Sequence, residues 1–176
     1  GFTVSISDHC LGSHHYFSGT QEERLVDFQK AINDSGIDAI LCARGGYGCV
    51  HLVDALDWSK FDSNPKWIIG FSDVTVFHQH LQKKGVASVH GTMPLNFKEN
   101  SMASISTLID AITGSSYIIK SPPSKHNISG SAYGTLVGGN LAIVASLIGT
   151  NDQPDYRDTL LFIEEIGEPL YSIDRM

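Results

Sequence analysis

The chain has 176 residues, 41% of them hydrophobic and 18% charged, and a formal net charge of -7. Such a composition predicts a soluble globular protein with enough apolar material for a sizeable core, in one domain or one domain plus part of another. The acidic balance and the lack of any lysine- or arginine-rich tract argue against nucleic acid and anionic membrane as partners.

Phe2 to Ile6 alternates apolar and polar residues and reads as a strand. Asp8 to Ser18 is polar, carries His9, His14 and His15, and reads as a mobile loop. Thr20 and Glu23 have capping-box spacing, so a helix is expected from there to about Ser35, stopped by Gly36. Ile37 to Ala43 is apolar except for Asp38, which predicts a strand buried on both faces. Arg44-Gly45-Gly46-Tyr47-Gly48 follows as a tight loop. Val50, Val53 and Leu56 then mark a helix that ends before the Asp62 to Pro65 turn.

Lys66 to Phe71 is the next expected strand and Val74 to Lys84 the next helix, with Ser72 at the junction. Val86 to Val89 is a short strand, followed by the loop His90-Gly91-Thr92-Met93-Pro94. Ser101 caps a helix to Ile112, and Gly114 ends it. Tyr117 to Lys120 is a candidate strand. Ser121 to Gly130, with two prolines, is the best linker candidate. Ala132 to Val137 (strand), Asn140 to Ile148 (helix) and Leu160 to Ile163 (strand) complete the chain. The expected organisation is an α/β domain over 1–115, a linker over 116–131, and the beginning of a smaller α+β domain over 132–176. The chain begins inside one element and stops inside another, which suggests a fragment missing both ends.

Alternating strands and helices predict a mostly parallel, doubly wound sheet. Right-handed crossovers gather the strand-to-helix loops on one edge, where ligands bind in such folds. Three unusual loops therefore converge there: 44–48, 71–75 and 90–94. Ser72 follows a buried strand and opens a helix, so its hydroxyl is raised beside the unpaired N–H groups of the first turn. Taken alone, that stretch is more often a helix N-cap. The converging loops favour a nucleophile instead, with N–H groups at hand for a developing oxyanion.

Three glycines in five residues let the 44–48 backbone approach a ligand closely. Arg44 offers a charged fork for a substrate carboxylate, against the alternative of a plain turn with Arg44 on the surface. The loop matches neither a dinucleotide fingerprint nor a phosphate-cradling loop, so no cofactor is expected. Glu164 and Glu165 follow an apolar strand, where a carboxylate can point into a cleft, although paired glutamates are usually solvated. Among eight histidines, only His90 stands at an expected strand end, as base, helper or structural residue. His78 and His80 read as outward-facing. No histidine pair has a carboxylate at metal-ligand spacing, so no metal is expected. Cys10, Cys42 and Cys49 lack C-x-x-C spacing, which points to reduced thiols in a cytosolic compartment.

Several segments together resemble the LD-carboxypeptidases of serine peptidase family S66. They are Phe17-Ser18-Gly19-Thr20 with Glu23-Arg24-Leu25, Ala43 to Gly48, Gly70 to Thr75, and His90-Gly91-Thr92-Met93. Gly134 to Leu141, Leu147 to Thr150, Leu161 to Glu165 and Asp174-Arg175-Met176 continue the match in the family's order. The resemblance implies a Ser–Glu–His triad with Ser72 as nucleophile and Glu164 as its glutamate. It implies an oxyanion hole from the N–H groups of Asp73 and of the Gly45-Gly46 loop, and a substrate site formed by Arg44, Gly45, Tyr47, His90 and Asn140. It also implies a cytoplasmic homodimer that removes a terminal D-amino acid from L,D-linked muropeptides during wall recycling. The alternatives are a microcin-type immunity peptidase, which cleaves an amide in a peptide–nucleotide antibiotic, and a non-catalytic ligand-binding domain. The family's histidine lies beyond the glutamate and matches none of the eight here, so this chain is expected to be inert or nearly so.

Overall fold

Thr20 and Glu23 close the capping box that their spacing predicts: the Thr20 hydroxyl accepts the Glu23 N–H, and the Glu23 carboxylate accepts the Thr20 N–H. Helix α1 (Gln21–Asn33) follows. The computed structural model describes residues 1–176. Strand β1 (Ala39–Leu41), the short helices α2 (Val50–Val53) and α3 (Ser59–Ser63), and strand β2 (Trp67–Gly70) come next. A 3-10 turn over Ser72–Val74 leads into α4 (Thr75–Lys83), then β3 (Val89–His90) and α5 (Met102–Thr113). Ser101 caps α5 and Gly114, in the left-handed conformation, ends it. Strand β4 (Thr135–Asn140), helix α6 (Leu141–Ser146), strand β5 (Thr159–Glu164) and helix α7 (Leu170–Arg175) complete the order.

All strand pairs are parallel. The first sheet has the order β1-β2-β3, with Ile40 opposite Ile68 and Gly70 opposite His90. The second pairs β4 with β5 from Thr135↔Thr159 to Asn140↔Glu164. The mixed α/β class with parallel strands is the one the alternation predicts. Parallel pairs need crossovers, which α2 and α3, α4, and α6 supply.

The core lies on the α1–α4 side of the first sheet. Ile32, Trp58, Phe61, Ile68, Phe77 and Leu81 are buried in one cluster. Phe28 stacks on Phe77 with ring centroids 4.6 Å apart, and Trp58 meets Phe61 edge-on at 5.3 Å. The α4 apolar face is thus fixed to α1 and α3, which sets the direction in which Ser72 is presented.

Three expectations fail. Phe2 to Ile6 is exposed and forms no strand, because no neighbouring strand pairs with its backbone. Tyr117 to Lys120 is likewise exposed coil, within a stretch over 115–134 free of helix and strand. Strand β1 is not buried on both faces. It is an edge strand: Ile40 packs on the core while Ala39 and Leu41 remain exposed on the other side.

Candidate active site

The junction after β2 is built by steric demand. A β-carbon at Gly70 would stand 2.8 Å from Val74 Cγ2, so the chain can fold back over this residue only with glycine there. Phe71 is extended, and Ser72 then takes a φ of +61°. A left-handed conformation at a non-glycine residue costs about 1–2 kcal/mol. Such strain collects at functional sites, where the surrounding structure holds it in place. A plain N-cap serine has extended backbone instead, and Ser72 makes no such cap.

The glycine loop lies against this serine. A β-carbon on Gly45 would be 3.2 Å from Ser72 Oγ and 3.0 Å from its Cβ. Gly46 and Gly48 have φ of +121° and +119°. The loop is held from two sides. Asp73, buried beside the serine, accepts the Cys49 N–H at 2.8 Å. On the other side the Arg24 guanidinium stacks on Phe17 and donates to the Gly48 carbonyl at 3.4 Å. The Phe17…Arg24 segment therefore shapes the loop. Arg44 and Tyr47 occupy its exposed side: Arg44 Nε donates to its neighbour Gly45 O at 3.2 Å, and the Tyr47 hydroxyl pairs with His51 Nε2 at 3.2 Å.

His90 ends β3 directly opposite Gly70. Its ring lies 6.1 Å from Phe71, 5.8 Å from His78 and 5.1 Å from Phe162 of β5. It thus joins the two strand ends. Burial pushes its pKa down, and Nδ1 is buried without a protein partner.

On the second sheet, Asn140 caps α6 through its Oδ1, which accepts the Ile143 N–H. Its own N–H donates to Thr75 Oγ1 at 3.0 Å, and its amide donates to Glu165 at 3.3 Å. The two glutamates differ. Glu165 accepts the Ile166 and Gly167 N–H groups, and these bonds hold its pKa down. Glu164 is half-buried with Oε1 unpaired, and burial raises its pKa against the Asn140 amide. The structure thus distinguishes two carboxylates that the sequence presents alike. Ser72 and Glu164 are connected through the 3-10 turn, then Thr75, then Asn140, the register partner of Glu164.

Two histidines correct the sequence reading. His78 is buried, with Nε2 on the Gly70 carbonyl at 2.9 Å and Nδ1 on the Ser88 hydroxyl at 2.8 Å. Burial brings its pKa down to about 4, so it is a neutral structural donor. His80 stacks on Trp58 and pairs with Asp152 Oδ1 at 2.7 Å. Both were expected outside because the apolar face of α4 looks narrower in sequence than the two sheets and α3 make it. His9 also departs from the mobile-loop expectation, since its Nδ1 and backbone N–H both bind Asp27. Burial pushes the Cys42 thiol up to about 12 and raises Cys49 well above the usual range, so neither is a thiolate nucleophile at neutral pH.

Sequence reasoning missed Thr75 and Gln79. Both are buried polar residues on α4. Their spacing of four on a helix with an apolar face was the available signal.

Residues 1–91 match the model of the LD-carboxypeptidase N-terminal domain (peptidase family S66), and residues 133–176 match that of the C-terminal domain. The chain is 34% identical over 184 residues to the probable murein peptide carboxypeptidase of Bacillus subtilis, covering 100% of this chain and 57% of that protein. It is 30% identical over 190 residues to the murein tetrapeptide carboxypeptidase of Pseudomonas aeruginosa, covering 99% of this chain and 61% of that protein. Its fold is similar to the crystal structure of an MccF-like protein from Bacillus anthracis, with a TM-score of 0.87, 26% identity, and coverage of 99% of this chain and 62% of that one. The chain thus spans about three fifths of the length of the relatives it matches.

Proposed function

This chain belongs to the LD-carboxypeptidase family S66, and from that premise we propose that it carries the nucleophile half of a serine carboxypeptidase. The substrate class is a muropeptide ending in an L,D-linked D-amino acid. The observation that carries this reading is the strained Ser72, with φ of +61°, pressed against Gly45.

Ser72 Oγ attacks the scissile carbonyl and gives its proton to a base. The carbonyl oxygen becomes an oxyanion in front of the Asp73 and Gly46 N–H groups. Each such donor contributes about 3 kcal/mol of transition-state stabilisation in comparable sites. The C–N bond then breaks, the D-amino acid leaves with the proton, and water hydrolyses the acyl-serine. Glu164, half-buried and short of hydrogen-bond donors, orients that base and stabilises its cation. Arg44 takes the terminal carboxylate, while Gly45, Tyr47, His90 and Asn140 border the substrate. We divide the chain functionally into residues 1–115, a connecting stretch over 116–131, and residues 132–176, and we assign the whole a cytoplasmic, homodimeric setting.

By the family resemblance the base is a histidine that none of these eight matches, and four of them are engaged elsewhere. His78 is bound to Gly70 and Ser88, His80 to Asp152, His9 to Asp27 and His51 to Tyr47. The 176 residues alone should therefore turn over an L,D-tetrapeptide poorly or not at all. With the base supplied, turnover should appear and Ser72→Ala should abolish it with little loss of stability. Robust hydrolysis by the chain alone would instead point to His90, and a Ser72→Ala protein that fails to fold would return the serine to a structural role. A second reading, hydrolysis of a peptide–nucleotide antibiotic, draws on the likeness to the MccF-like fold; the same assay with an aminoacyl-nucleotide amide distinguishes it.

A further inference from the structure

Helix α4 carries two polar side chains, Thr75 and Gln79, into its contact with the second sheet. Both are sealed from solvent, at 0% and 1% exposure. A buried hydroxyl or amide is costly unless it is hydrogen-bonded, and here both side chains bond to β4 or to the segment leading into β5. Thr75 Oγ1 accepts the Asn140 N–H at 3.0 Å. Gln79 Nε2 donates to the Gly138 carbonyl at 2.7 Å, and its Oε1 accepts from the Tyr156 hydroxyl at 3.1 Å.

The backbone opposite is shaped to receive them. Gly139 has φ of +142°, and a β-carbon there would lie 2.5 Å from Thr75 Oγ1. The end of β4 therefore rests directly on the hydroxyl with no side chain between. Asn140 is the register partner of Glu164. Ser72 lies three residues before Thr75 on a continuous turn and helix.

We propose that Thr75, supported by Gln79, is a positioning residue that sets the placement of Glu164 relative to Ser72. The inference rests on reading Ser72 and Glu164 as nucleophile and orienting carboxylate. The 3-10 turn that begins at the serine runs straight into α4, whose first residue, Thr75, grips the strand end paired with the glutamate. A shift of about 1 Å in such a pair costs on the order of 100-fold in rate. A threonine hydroxyl bonded to main chain is a stiff link, because its rotamer is restricted by β-branching.

The test uses the 176-residue chain and two NMR readouts, the exchange rate of the Asn140 amide and the titration midpoint of the Glu164 carboxyl carbon. Thr75→Val keeps the shape and removes the acceptor; Thr75→Ser keeps the acceptor. Phe77→Leu, on the same helix, weakens packing alone. Thr75→Val should speed Asn140 exchange at least tenfold and move the Glu164 midpoint down toward the ordinary carboxylate range. Thr75→Ser should restore both, and Phe77→Leu should lower the unfolding midpoint without moving Glu164. Gln79→Leu should shift the same signals less, and it decides the matter if Thr75→Val does not fold. The inference is overturned if Glu164 stays put in Thr75→Val and Gln79→Leu, or if Phe77→Leu moves it equally. Ser72→Ala tests the peptidase reading separately: a failure of Ser72-dependent turnover leaves these spectra as they are.

Discussion

Acid should unfold this protein in good part through one side chain, His78. Its imidazole is 6% exposed, donates to the Gly70 carbonyl and accepts from Ser88. Burial brings its pKa down to about 4, against 6.5 in the open chain. The folded state therefore binds this proton more weakly than the unfolded state. Its contribution is complete above pH 6.5 and is lost as the pH falls toward 4. A depression from 6.5 to about 4, at about 1.36 kcal/mol per unit, comes to about 3 kcal/mol. That is a large share of the stability of a typical domain, about 5–15 kcal/mol. The assay is urea unfolding of wild type and His78→Gln from pH 7.5 to 4. Glutamine cannot titrate and still offers Gly70 a donor, so at pH 7 the variant should lose about 1–2 kcal/mol, for the Ser88 bond. Other groups titrate as well. Hydrogen bonding to Asp27 raises the pKa of His9, whose contribution is lost as the pH rises, and burial raises that of Glu164. These terms are common to both proteins and cancel in the difference. The wild-type advantage should shrink and reverse, changing by about 3 kcal/mol between pH 6.5 and 4. An advantage that stays constant over that range refutes the argument.

Three more outcomes follow from contacts described above. Gly139→Ala should destabilise by at least about 2 kcal/mol in urea, since the new methyl meets Thr75 at 2.5 Å on a backbone of positive φ. Phe77→Ala should cost about 3–5 kcal/mol by the same measure, because the side chain is fully buried between Phe28 and Trp58; a loss under 1 kcal/mol would contradict that packing. The Cys42 and Cys49 thiols should react with a disulfide reagent at pH 8 only on unfolding, since burial keeps both protonated; prompt native-state labelling of either would refute it.

What the sequence made legible was local chemistry. The Thr20–Glu23 box, the Ser101 cap and the Gly114 stop depend on neighbours within four residues, and each forms. The parallel strand–helix rhythm is likewise local in origin. Readings that depended on partners far along the chain fared differently. Whether Phe2 to Ile6 pairs, or whether β1 is covered, is decided by which strand lies alongside. The inward turn of His78 is decided by the carbonyl of Gly70 and by Ser88 just before β3. The contrast between Glu164 and Glu165 was invisible for the same reason: Ile166 and Gly167 fold back to donate to one of them and leave the other. Ser72 shows both sides of this. Its setting between strand and helix was readable, but its left-handed backbone belongs to a turn so tight that a β-carbon at Gly70 would meet Val74 at 2.8 Å.

The Asp73–Cys49 hydrogen bond ties the far end of the glycine loop to the residue next to Ser72. On the proposed reading, nucleophile and oxyanion donors are thereby fastened into one small mechanical part instead of two that must meet. The carboxylate on the other sheet belongs to a separate part, and the Thr75–Asn140 hydrogen bond couples that part to the one holding the serine.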